Sequence, residues 1–101
     1  MTFSKTIQGD TIVFRIEGEL DALTAPELRP ALDDVANDKP KKVTLDLSTM
    51  RIIDSSGVGA LVSLFKRVRS AGGDVTIVGL QGQPLAIFKL LRLDRVFAIE
   101  A

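Results

Sequence analysis

Residues 43–80 read VTLDLSTMRIIDSSGVGALVSLFKRVRSAGGDVTIVGL, and this stretch decides the fold. Val43 to Leu47 and Val75 to Val78 are short, β-branched apolar runs of strand character. Between them, Val58, Leu61, Val62, Phe65 and Val68 recur at helical spacing and predict one buried stripe on a helix from about Ser56 to Ala71. Gly72-Gly73 is the pair that a left-handed C-terminal cap prefers, and Lys66, Arg67 and Arg69 suit the negative end of the helix dipole. Two strands joined through a helix should lie parallel in one sheet, with a right-handed crossover. The class is α/β.

On the N-terminal side, Phe3 to Ile7 and Thr11 to Ile16 are apolar segments separated by Gln8-Gly9-Asp10, which predicts a hairpin. Ile12, Phe14 and Ile16 alternate with Val13, Arg15 and Glu17, as on a strand with one buried face. Gly18-Glu19-Leu20-Asp21 leads toward a helix whose start matches a capping box, Thr24-Ala25-Pro26-Glu27. Leu28, Ala31, Leu32 and Val35 give that helix its apolar face. Pro30 removes a helical hydrogen bond at a cost of roughly 3 kcal/mol, so a kink or a distinct first turn is expected there. After the second crossover strand, Gln81 to Pro84 opens a third helix carrying Leu85, Phe88 and Leu91, and Val96, Phe97 and Ile99 return as a short edge strand or tail. The sum is one domain over residues 1–101: a mixed β-sheet, an N-terminal hairpin followed by parallel βαβα units, with amphipathic helices packed on it.

Composition removes most chemistry. With no cysteine there is no disulfide framework and no thiol nucleophile; with no histidine the usual general base and commonest metal ligand are missing. Thirteen basic and thirteen acidic residues cancel, so no global field draws the chain to nucleic acid or an anionic membrane. Lys39, Lys41 and Lys42, interrupted by Pro40, read as a solvated turn. The segment MTFSKTIQGD lacks a signal-peptide core and no run approaches a membrane span, so the expectation is a soluble cytoplasmic protein, with a monomer favoured by small size and neutral charge.

The junction Ile52 to Leu61, IIDSSGVGAL, is the one chemically unusual place. Neither serine has glycines two positions away on both sides, as a nucleophile elbow needs, and no lysine follows Gly57-Val58-Gly59 as in a P-loop. Asp33-Asp34 and Asp46 read as a solvated helix face and an ordinary strand position. The expectation is a non-enzyme with no cofactor and no metal. Ser56 makes a good N-cap, which leaves Ser55 just outside the helix without a capping task. Gly57 and Gly59 each cost about 1 kcal/mol of helix propensity against alanine, and make sense where something must approach the backbone. Two readings follow: simple helix capping, or a site where a phosphoryl group is added and removed. A helix N-terminus tolerates a phosphate, while Asp54 and a nearby Asp21 would repel it, so modification would trouble a docked partner more than the fold.

At these residues the chain resembles the STAS-domain anti-sigma-factor antagonist family. DLSTMRIIDSSGVGALVSLFKRVRSAGGDVTIVGL resembles its core, GELDALTAPEL its first strand–helix loop, and LLRLDRVFAI its C-terminal segment, covering nearly the whole chain in the family's order. The resemblance implies partner switching in bacterial transcription regulation. An unmodified antagonist binds an anti-sigma factor that is also a serine kinase of the GHKL type and frees its client; phosphorylation releases the antagonist, and a PP2C-type phosphatase resets it. The family's phosphoacceptor is the first serine after the aspartate, here Ser55. The partner surface carried over comprises Glu19, Asp21 and Thr24 from the first loop, with Asp54, Ser56, Gly57, Val58 and Gly59 around Ser55. ATP and magnesium belong to the kinase.

Two residues depart from the family's pattern: Pro30, where an ordinary helix former is usual, and Arg92, at a place after the third helix often held by glycine. The competing function is a non-switching STAS scaffold subunit of a transport or stress-sensing complex.

Overall fold

Thr2–Gln8 (β1) and Thr11–Leu20 (β2) pair antiparallel about Gly9-Asp10, Gln8 opposite Thr11 and Thr2 opposite Glu17, in the computed structural model, which describes residues 1–100. The rest of the chain runs α1 (Ala25–Asn37), β3 (Lys42–Asp46), β4 (Met50–Ile53), α2 (Ser55–Ser70), β5 (Asp74–Val78), α3 (Gly82–Leu90), a 3₁₀ turn (Leu93–Arg95) and β6 (Ala98–Glu100). The sheet order is β1-β2-β3-β5-β6, parallel throughout after the first hairpin, with β4 paired to β2 off this path. The mixed sheet and its parallel crossover strands agree with the pattern of the sequence.

The alternation of β2 carries directly into packing: Ile12, Phe14 and Ile16 are buried, and Val43, Leu45, Val75 and Ile77 continue that layer across β3 and β5. Onto it fall Leu28, Leu32 and Val35 of α1, Leu61, Leu64 and Val68 of α2, and Phe88 of α3. Each such side chain contributes roughly 1.5–3 kcal/mol by leaving water. Phe97 closes the C-terminal corner, its ring 4.7 Å from that of Phe65 and 5.8 Å from that of Phe88. Helix α2 ends as its glycines predict, with Gly72 at φ +90° and the Gly73 amide donating to the Val68 carbonyl at 2.9 Å.

Several elements differ from the sequence pattern. Strand β2 continues past Ile16 to Leu20, with a register shift between Gly18 and Glu19. From Gly18, opposite Met50, it pairs with β4, a strand the sequence pattern did not reveal, and the shift lies within this pairing. Strands β3 and β4 are thus successive partners along one side of β2, divided by the turn at Leu47 to Thr49, where the Gly18 amide donates to the Thr49 carbonyl at 3.0 Å. Helix α1 runs as one element from Ala25 to Asn37 with an exposed Pro30 inside it, so the proline does not divide it into two. In α3, Phe88 is fully buried and Leu85 half-buried, but Leu91 is 51% exposed, because the helix has ended at Leu90.

Candidate functional site

The C-terminal half of β2 and β4 brings the segment Glu19–Thr24 beside the start of α2. Their meeting point is Asp54, the extended residue (φ −115°, ψ −173°) between β4 and α2. Asp54 Oδ1 accepts from the Gly57 amide at 3.0 Å, and Oδ2 accepts from the Ala22 amide at 3.1 Å. Its own amide donates to the Leu20 carbonyl at 3.1 Å, and its carbonyl accepts from the Val58 amide at 2.9 Å. Asp54, not Ser56, is therefore the N-cap; Ser55 is the first residue of α2 and Ser56 the second. Aspartate and serine cap equally well, but a carboxylate offers two oxygens and can serve two amides at once. Asp54 uses both, one for its helix and one for the neighbouring loop.

The loop after β2 is organised by its own polar side chains. The Thr24 hydroxyl donates to the Glu19 carbonyl at 2.9 Å and accepts from the Asp21 amide at 2.9 Å. Asp21 Oδ1 accepts from the amides of Leu23 at 3.0 Å and Thr24 at 3.1 Å. The capping box does not form: Thr24 has helical backbone angles and its hydroxyl turns back into the loop rather than toward Glu27. These bonds, led by the one from the Thr24 amide, hold the Asp21 carboxyl below its ordinary range.

Of the sequence-derived site residues, Glu19, Ser55 and Gly59 are exposed, and Asp21, Thr24, Asp54 and Ser56 are half-buried. Gly57 and Val58 are buried. A Cβ on Gly57 would lie 2.7 Å from the Leu20 carbonyl oxygen and 2.8 Å from side-chain atoms of Leu20 and Ile53, so this glycine permits close packing of α2 on the sheet. A Cβ on Gly59 would meet nothing within 4 Å. The two glycines thus differ: one is filled by the protein's own core, the other faces open space.

Three participants carried no signal in the sequence. Leu23, 85% exposed, projects from the loop that Asp54 anchors, and Ile52 on β4 is 40% exposed. Gln83, at the start of α3, accepts from the Ile53 amide at 2.9 Å and donates to the Ile53 carbonyl at 2.9 Å. Its carboxamide mimics a neighbouring strand along β4. A polar residue just inside a helix start that could reach back to a strand was the only available hint.

The resulting surface holds an exposed hydroxyl at the first position of a sixteen-residue helix, an exposed leucine, and three acids: Glu19, Asp21 and Asp54. The first amides of a helix have no intrahelical partner and lie at the positive end of its dipole, so an anion on Ser55 is compatible with the fold. The surrounding carboxylates would make that anion costly to cover with a partner.

A family model for the STAS domain matches residues 2–101, and the chain belongs to that family, whose antagonist members are regulators and not enzymes. The anti-sigma-B factor antagonist of Bacillus subtilis is 30% identical over 90 residues, covering 89% of this chain and 82% of that protein. An anti-sigma factor antagonist from Mycobacterium paratuberculosis superposes with a TM-score of 0.88 at 26% identity, over 97% of this chain and 83% of that one. The Bacillus cell fate determinant SpoIIAA in its phosphorylated form gives a TM-score of 0.77 at 18% identity, over 99% and 92% of the two chains, a likeness of fold. No helix among the described residues is long and apolar enough to cross a membrane.

Proposed function

We propose that this protein is an anti-sigma-factor antagonist of a cytoplasmic partner-switching module, with Ser55 as its phosphoacceptor. Unmodified, it docks on an anti-sigma factor that is also a GHKL-type serine kinase and frees the kinase's client. Transfer of a phosphoryl group from ATP to the Ser55 hydroxyl, both nucleotide and magnesium being held by the kinase, adds about −1.5 to −2 charges to the docking surface and drives release. A PP2C-type phosphatase hydrolyses the ester and restores the binding form.

The observation that supports this reading most is the division of labour at the junction. Asp54 does the capping, Ser56 is half-buried, and Ser55 is left exposed at the helix start without a capping task. The exposed residues Glu19, Leu23, Ser55 and Gly59 supply contacts, with Leu23 as the apolar anchor; Asp21, Thr24, Asp54, Ser56, Gly57 and Val58 shape the surface from beneath.

Incubation with candidate kinases and ATP, followed by intact-protein mass spectrometry, is expected to add one phosphate that Ser55→Ala abolishes. Ser55→Ala is expected to keep partner affinity and Ser55→Asp to weaken it. Phosphate on another residue, or equal affinities for the two variants, would overturn the switch and leave a scaffold.

A further inference from the structure

All three helices pack on one face of the sheet, and the other face carries none. The outward residues of β2, β3 and β5 alternate with the core residues, and not one of them is buried. In register across five strands lies an uncharged row: Thr6, Val13, Thr44, Thr76 and Ala98. Two residues along the strands from this row, charges appear: Arg15 beside Asp46 on one side, Lys42 beside Asp74 on the other, and Glu100 on β6, while Ser4 and Gln8 of β1 are uncharged. On the central strand β3 these are Lys42 at one end and Asp46 at the other, with Thr44 midway.

We propose that this open sheet face is a self-association surface on which a second copy of the chain packs about a two-fold axis running across the strands through Thr44. Of the two-fold axes in the plane of the face, two keep the strands of the copies aligned, one parallel to the strands and one across them, and the charges on β3 distinguish these two. An axis parallel to the strands lays Asp46 over Asp46 and Lys42 over Lys42, two like-charge contacts at the centre. An axis across the strands keeps each strand over its own copy but reverses its direction. Asp46 then faces Lys42 of the second copy, twice by symmetry, and the uncharged row lies on itself. On the flanking strands the same operation sets Arg15 over Thr11 and Val78 over Asp74, neither a like-charge pair.

The side chains concerned are free to do this. Both bonds that Asp46 accepts, from the Ser48 amide at 3.0 Å and the Ser48 hydroxyl at 2.6 Å, go to Oδ1, and Oδ2 accepts none among the described residues. Arg15 pairs with Glu17 at 3.0 Å and its charge also reaches Asp46, its register neighbour on β3, without an ion pair to it; among the described residues Lys42 enters no ion pair. Five strands about 4.8 Å apart and five residues at about 3.3 Å each define a patch of about 400 Å² per copy. That is below the standard interface size, so the dimer is weak, and the monomer expected from size and charge prevails on dilution. This surface lies on strand faces distinct from the Ser55 junction and does not depend on the switch.

Sedimentation velocity on the intact chain from 10 μM to 1 mM tests it. The wild type is expected to pass from monomer to dimer and stop there. Lys42→Glu, which sets a glutamate against Asp46 of the second copy, is expected to weaken the dimer at least tenfold. Thr44→Arg, which brings two cations together on the axis, is expected to abolish it. Lys66→Glu, on the helical side, is expected to change nothing. A monomer through 1 mM, assembly beyond a dimer, or a dimer indifferent to both sheet-face variants would overturn the proposal, with thermal melts confirming that each variant folds.

Discussion

Asp54 Oδ2 lies 3.1 Å from the amide nitrogen of Ala22, and this bond ties together two loops separated by 32 residues in the chain. The same carboxylate caps α2 through its other oxygen. Asp54→Ala is expected to lose both and to destabilise the fold by about 1–2 kcal/mol. Asp54→Asn retains one acceptor but presents an amide where the second oxygen was, and should fall between. Urea denaturation midpoints at an unchanged slope would show the order wild type, Asn, Ala.

Gly57 and Gly59 give opposite expectations for the same substitution. Gly57→Ala forces a methyl group against the Leu20 carbonyl and the Ile53 side chain and should cost roughly 1–3 kcal/mol. Gly59→Ala meets open space and should stabilise α2 by up to about 1 kcal/mol. Denaturation curves of the two variants check the stability contrast. On the proposed docking surface, Gly59→Ala should nonetheless bind the proposed anti-sigma-factor partner more weakly.

Leu23 is 85% exposed and adds nothing to the core. Leu23→Ser should leave stability within about 0.5 kcal/mol of wild type. Burial of that side chain in a partner is worth roughly 1.5–3 kcal/mol, so the variant should bind more than tenfold more weakly. Calorimetric titration of the unmodified protein against the anti-sigma factor proposed as its partner measures this.

Arg92 follows α3 at φ +57°, the left-handed conformation that suits glycine. This conformation costs a non-glycine residue roughly 1–2 kcal/mol, partly offset by the backbone entropy that glycine loses. Arg92→Gly should therefore gain up to about 1 kcal/mol and raise the melting temperature by a few degrees.

The Ser48 hydroxyl, then its amide and the charge of Arg15, hold the Asp46 carboxyl below the ordinary 3.8, as the Thr24 amide does most for Asp21. In both cases the unfolded chain takes up its proton at a higher pH than the folded one. Their stabilisation is full above about pH 5 and is lost as pH falls through 3.8 toward the lower folded values. Asp46→Asn should flatten the decline in melting temperature between about pH 5 and pH 2, and leave its slope at neutral pH unchanged.

What the sequence made legible was what periodicity controls. The hairpin, the parallel strands β3 and β5 and the Gly72-Gly73 stop follow from alternation and turn chemistry. Of the α2 stripe, Val58, Leu61 and Val68 are buried as expected, while Val62 and Phe65 are half-buried and Leu64 takes the central place. Strand β4 stayed hidden because Met50-Arg51-Ile52-Ile53 is four residues long and does not alternate cleanly: Met50 and Ile53 are buried, Arg51 and Ile52 exposed. The pairing of β4 with the end of β2 is what brings the loop of Asp21 beside Asp54. The cap was ambiguous because aspartate and serine at adjacent positions have equal preference, and only the distant Ala22 amide selects Asp54. The Thr24-x-x-Glu27 pattern is present, but Asp21 and Glu19 compete for the Thr24 hydroxyl and win. Leu23 and Gln83 act through tertiary contacts or exposure, which no local pattern encodes.

The carboxamide of Gln83 has a mechanical corollary. By occupying both the amide and the carbonyl of Ile53, it seals the free edge of β4 immediately before the serine. A visiting chain cannot pair with Ile53 as an added strand, so a grip beside the serine relies on side chains rather than on that main-chain ladder. Attachment of that kind can be undone by a single charge, since no ladder of main-chain bonds has to be unfastened first.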